Sequence, residues 1–191
     1  MRIISGRFKG KKLSDSSHLK LLRPTTDSNR ESLFNILTSG KIIKEIGFKI
    51  EGAKILDICC GSGSVGLECL SRGAKSAFFI DNNFKHLEIA KKNSQILQVE
   101  ESCQFLLSDA KIGLNKTLEK FDLVFIDPPY NENYLEIITN LKEKEWITPE
   151  SLIVIEFKTF KEKQLKDCGF LQQLELRKYG GTSFLFANIV K

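Results

Sequence analysis

Residues 121–131 read FDLVFIDPPYN, an apolar run that ends in a carboxylate, two prolines and a tyrosine. An Asp-Pro pair favours turn initiation, so a strand running into a turn is the plain reading. The residue types allow a more specific one. Proline fixes its own φ and restricts the residue before it, so Asp127 and the carbonyl of Pro128, backed by Pro129, form two rigid hydrogen-bond acceptors. Each can accept one N–H of an amine conjugated to a ring, drawing the nitrogen toward tetrahedral geometry and aiming its lone pair. Acceptors fixed before the substrate arrives are electrostatic preorganisation. The Tyr130 ring offers a face on which a flipped-out base can stack.

A second chemical stretch is ILDICCGSGSVG, residues 55–66, a strand-like run leading into glycines 61, 63 and 66. GxGxxG alone is a weak signal for a nucleotide loop. Asp81, at the end of the next strand-like run, stands where an acidic side chain can bond ribose hydroxyls. Asp57 discriminates between ligands. A glycine loop feeding a helix N-terminus suits a pyrophosphate, and a carboxylate four residues before the first glycine would repel one. A ligand with a cationic sulfonium, an amino group and no phosphate is favoured instead, which describes S-adenosylmethionine. Asp109, in LSDA, could accept from an adenine amino group and also suits a helix N-cap.

These residues need a scaffold that brings strand ends together. Strand-like runs at 53–58, 76–80, 103–107, 123–126 and 152–157 alternate with helical patterns at 65–71, 84–97, 112–119 and 134–142. That alternation implies an α/β parallel sheet covered on both faces. Residues 172–178 and 183–190, joined by YGGT, read as a C-terminal antiparallel hairpin. Ahead of the sheet, RIISGRFKGKKL reads as a small β-hairpin. A helix follows from Thr26 or Ser28, with Ser28 and Glu31 as a capping box and Gly40 as its terminator. The expected division is a basic hairpin and linker at 1–26 and a catalytic domain at 27–191.

Composition narrows the class. The 191 residues carry a net charge of +5, and residues 1–30 alone hold eight basic side chains against two acidic ones, so the whole excess lies there. A concentrated basic arm suits a polyphosphate backbone, and Arg7, Lys9, Lys11, Lys12, Arg23 and Arg30 are its candidate contacts. The five cysteines form no CxxC pair, so neither a disulfide framework nor a metal site is indicated. With no apolar stretch of membrane length, the expectation is a cytoplasmic protein, a monomer that binds neither membrane nor metal. His18 and His86 read as surface residues.

The chain resembles the RsmD family of bacterial 16S ribosomal RNA guanine-N2 methyltransferases. The resemblance rests on RIISGRFKGKKL, LRPTTDSNRESLFNIL, LDICCGSGSVGLECLSRGA, FIDNN, DPPY and the YGGTSFLF tail. It implies a Rossmann-like class I methyltransferase sheet and S-adenosylmethionine held by Asp57, Gly61, Gly63, Asp81 and Asp109 with the adjacent Asn82 and Ala110. It further implies a base held by Asp127, Pro128, Pro129 and Tyr130, and 16S rRNA or the small ribosomal subunit as partner. Two departures stand out: Cys59-Cys60 where an aromatic and a small residue are commoner, and Asp81 where glutamate is usual. An acceptor-only carboxylate matches the adjacent N1–H and N2–H donors of guanine. DPPY also occurs in DNA adenine-N6 and protein-glutamine methyltransferases, which remain alternatives. A nicotinamide oxidoreductase gives Asp57 and DPPY no role, and a non-catalytic RNA-binding module needs none of the aspartates.

Overall fold

The apolar runs become strands because both their faces are covered. The computed structural model describes residues 1–14, 27–129, 133–162, 165 and 168–190. Five parallel strands form its centre: β1 (Lys54–Ile58), β2 (Ser76–Asp81), β3 (Cys103–Leu107), β4 (Leu123–Ile126) and β5 (Leu152–Lys158). An antiparallel pair, β6 (Leu171–Tyr179) and β7 (Thr182–Ile189), extends the sheet, with β7 against β5. The spatial order is β3-β2-β1-β4-β5-β7-β6. The chain therefore winds outward from β1 to β3 on one side and from β4 onward on the other. This reversal between β1 and β4 opens a crevice at the strands' carboxyl ends, where open α/β sheets bind ligands.

Helices α1 (Asp27–Ser39), α2 (Lys41–Ile46), α3 (Ser64–Ser71) and α4 (Phe84–Leu97) cover one face, and α5 (Tyr134–Glu143) covers the other. Alternation along the strands feeds the two layers. Ile55, Ala77, Phe79, Leu123 and Phe125 pack toward α3 and α4, whereas Leu56, Ile58, Ile80, Val124 and Ile126 pack toward α5. Asp57 shares the face of Ile55, so its carboxylate is turned to the α3 side. No described helix is long and apolar enough to cross a membrane.

One expectation is corrected. Residues 112–119 form no helix. Their backbone bonds to the turn after α5, with Thr117 N donating to the Lys144 carbonyl and the Asn115 carbonyl accepting from Trp146 Nε1. Ile112 and Leu118 stay exposed. Gly40 ends α1 as expected, and at φ −59 and ψ 146 it turns the chain into the short α2. The N-terminal residues form the expected small hairpin: Arg2 bridges Lys12 in antiparallel sense, Ile3 N donates to the Lys11 carbonyl at 3.0 Å and Leu13 N to the Met1 carbonyl at 3.1 Å.

The basic arm is also no free appendage. Ile3 and Leu13 are buried in the same core as α1, α3 and α4. The backbone N–H groups of Ile4 and Ser5 donate to the Glu68 carboxylate of α3 at 2.8 and 2.9 Å. Arg7 N donates to the Ser71 carbonyl at 2.8 Å. Gly6 makes this approach possible: at φ +81, a Cβ there would lie 1.9 Å from the Ser71 carbonyl oxygen.

Candidate active site

Asp57, Asp81 and Asp127 all arrive at the carboxyl edge, at the ends of β1, β2 and β4. After β1 the chain turns through Cys59 at φ 58, Gly61 at φ 55 and Gly63 at φ 74, and Gly63 caps α3. A left-handed cysteine is strained relative to glycine, and such strain collects at functional turns. Gly66 serves packing: a Cβ there would sit 2.5 Å from the Phe79 ring, so only glycine lets α3 lie this close to β2.

Three of the loop's N–H groups are committed within the protein. Gly61 N donates to Asp81 Oδ2 at 2.9 Å, Gly63 N to the Cys60 carbonyl at 2.8 Å, and Gly66 N to Asp57 Oδ2 at 2.9 Å. A pyrophosphate needs such donors, and here two of the three serve carboxylates. The carboxylates that these donors serve disfavour a pyrophosphate, and with it a nicotinamide dinucleotide, by charge. Asp57 is 2% exposed. Burial pushes its carboxyl from the usual 3.8 up to about 8; the Gly66 N–H opposes the shift, while the charges of Asp127 and Asp81 add to it. The carboxylates therefore feel one another across the crevice, and a cation placed among them relieves that repulsion. This donor set fits a cationic, phosphate-free nucleoside.

The other expected residues spread around the same edge. Asn82 is exposed after β2. Asp109 follows β3, and its Oδ1 accepts from Lys111 N at 2.8 Å. It caps only a turn, since the helix expected after it does not form. Ala110 is buried, with its carbonyl accepting from Asn140 Nδ2 at 2.8 Å. Asp127 is half-buried, and its N–H donates to the Ile58 carbonyl at 3.3 Å, tying the end of β4 to β1. Pro128 is buried and Pro129 exposed. Tyr130 and Arg23 lie outside the described residues. Cys60, one of the two departures, is a buried thiol whose ionisation burial pushes well up, so it behaves as a small apolar residue.

Arg7, Lys9, Lys11 and Lys12 are exposed on the arm. Arg30 is a correction: it is 1% exposed, with Nη2 donating to the Arg2 carbonyl at 2.5 Å, so it supports the arm from beneath and cannot meet a phosphate. His86 is another correction. Its side chain is 12% exposed, and Nδ1 lies 3.1 Å from Asp81 Oδ1. Sequence reasoning also passed over Asn93, fully buried on α4. Its amide nitrogen donates to the carbonyls of Ser14 and Ser62, both at 3.0 Å, while its oxygen accepts from Ser14 N at 2.8 Å. The end of the arm is thereby joined to the glycine loop. A buried polar residue inside an amphipathic helix was the available signal. A cleft of about 590 Å³ lies at the opposite edge, lined by Phe48, Ala53, Asp122 and Leu152 among others. It sits at the strands' amino ends, away from these groups.

A glycine loop that serves carboxylates, on a sheet of this order, defines a class I methyltransferase fold. A family model described as conserved hypothetical protein 95 matches residues 1–188. The ribosomal RNA small subunit methyltransferase D of Escherichia coli is 36% identical over 159 residues, 82% of this chain and 74% of that protein. The protein of the same name from Haemophilus influenzae is 35% identical over 169 residues, 86% of this chain and 81% of its own. The solved structure of the Escherichia coli protein yhhF matches with a TM-score of 0.79 at 29% identity, over 100% of this chain and 99% of that one. The chain belongs to the RsmD family of methyltransferases.

Proposed function

We propose that this protein transfers the methyl group of S-adenosylmethionine to the exocyclic N2 amine of a guanine in small-subunit (16S) ribosomal RNA. The observation that carries the reading is Asp127, followed by two prolines, at the end of β4, where its N–H bonds the Ile58 carbonyl and so sets it beside Asp57 at the end of β1. The names of the two relatives, both small-subunit rRNA methyltransferases, support the substrate class. When bound, S-adenosylmethionine supplies an electrophilic methyl group on a sulfonium. Asp57 would face its cationic end, Asp81 and Asn82 its ribose, and Asp109 and Ala110 its adenine. Asp127 and the Pro128 carbonyl would accept the two N–H groups of the guanine amine, directing its lone pair, and Asp127 would receive the proton released. The ionised carboxylate also accepts from N1–H, a pairing that adenine and cytosine cannot offer.

The test is a split between binding and turnover. Asp127→Ala should leave cofactor affinity within about twofold and lower turnover by about a hundredfold or more, as for loss of a preorganised transition-state partner. Asp127→Asn should also be poor on guanine, because its amide turns a donor toward N1–H or N2–H. Full activity in the asparagine variant would remove the argument for guanine.

A further inference from the structure

Asp81 is held by more donors than a ribose acceptor needs. Oδ2 accepts from Gly61 N at 2.9 Å, and Oδ1 accepts from Asn83 N at 2.9 Å with His86 Nδ1 at 3.1 Å. The surrounding bonds assign the imidazole's proton. Asn83 caps α4, its Oδ1 accepting from Lys85 N at 3.0 Å, which turns the amide nitrogen toward His86 Nε2 at 3.3 Å. An amide nitrogen only donates, so Nε2 accepts and the proton sits on Nδ1, aimed at Asp81. An ionised carboxylate has about four acceptor positions. Three are taken by protein donors, which leaves room for one more.

We propose that His86 is a positioning residue for the cofactor: through Nδ1–H it fixes the Asp81 carboxylate so that one remaining lone pair meets one ribose hydroxyl. The inference rests on the reading of Asp81 as a ribose acceptor. It also accounts for an aspartate where the family uses the longer glutamate. A short carboxylate cannot follow the ribose, so its direction must be fixed from behind, and His86 supplies the third fixing bond.

The experiment is calorimetric binding of S-adenosylhomocysteine and of its 2′-deoxy and 3′-deoxy analogues to the full-length protein and its variants. Thermal melting serves as the folding control. His86→Ala should weaken S-adenosylhomocysteine by about tenfold, in the range for loss of a hydrogen bond to a charged group. For the analogue that lacks the hydroxyl Asp81 accepts, the same substitution should cost little. His86→Asn places an amide nitrogen where Nδ1 stands and should restore most of the affinity, whereas His86→Gln should not. An equal loss for ribose and both deoxyribose ligands would make His86 structural only and overturn the proposal, as would unchanged affinity in His86→Ala. Asp81→Asn separates the two layers. If it leaves affinity unchanged, the ribose lies elsewhere and the reading of Asp81 fails with the proposal. If it weakens binding while His86→Ala does not, only the role of His86 is refuted.

Discussion

Asp57 sets the electrostatic character of the crevice, and its protonation gives a signature that binding can reveal. In the unfolded chain it ionises near its usual 3.8, whereas in the fold it holds its proton up to about 8. Between those values the folded state binds one more proton than the unfolded state. This group's contribution to stability is therefore full below 3.8, declines as pH rises toward 8, and is constant above it. A sulfonium and an amine beside Asp57 favour the ionised form. Cofactor binding at neutral pH should then release about one proton. Calorimetry in buffers of different ionisation enthalpy measures this number. Asp57→Asn should abolish the release, and its absence from the wild-type protein at pH 7 would place the cationic end elsewhere. The strand-end aspartates were legible because their positions follow from local pattern alone. Their partners were not. His86 lies on no apolar stripe, and only the turn at Asn83 brings it under Asp81. Arg30 looked like a phosphate contact by charge, and the packing of α1 beneath the arm decided otherwise.

Among the elements, the strands were legible to within a residue, since continuous apolar runs bounded by polar turns have few other solutions in a parallel sheet. The segment after β3 misled because Leu114 and Leu118 have helical spacing, yet only Leu114 is buried and the backbone bonds to residues around α5. The arm's docking was invisible because its partner, Glu68, lies more than sixty positions away in sequence. That docking changes how the arm should be tested. Removing residues 1–26 would strip Ile3 and Leu13 from the core, so failure of the truncated protein would say nothing about RNA. Gly6→Ala is more selective: the new Cβ meets the Ser71 carbonyl, and the left-handed backbone disfavours alanine. It should destabilise the protein by about 1–3 kcal/mol and speed hydrogen exchange at Ile4 and Ser5, with β1 and β4 unchanged. Unaltered exchange at those two amides would mean the approach to Ser71 does not hold the arm.

For the molecule as a whole, charge and chemistry occupy adjoining surfaces. Met1 and Ser14 touch the glycine loop through Ser62 and Asn93, whereas the arm's turn packs at Ser71, the far end of α3. Eight residues of helix place that turn about 12 Å below the carboxyl edge. Lys11 and Lys12, nearer the arm's open end, should therefore matter more for RNA than Arg7 and Lys9. Neutralising Lys11 and Lys12 should weaken RNA binding and flatten its salt dependence by about 0.7–0.9 log–log units for each phosphate that is no longer paired, with cofactor affinity intact. An unchanged slope would place the RNA surface elsewhere. The central claim, methyl transfer to a guanine amine, is tested most directly by the product. Purified protein, labelled S-adenosylmethionine and small-subunit ribosomal RNA from cells lacking the modification are combined, and the RNA is digested to nucleosides. The account predicts label in N2-methylguanosine; label in methyladenosine, or RNA that stays unlabelled, would contradict it.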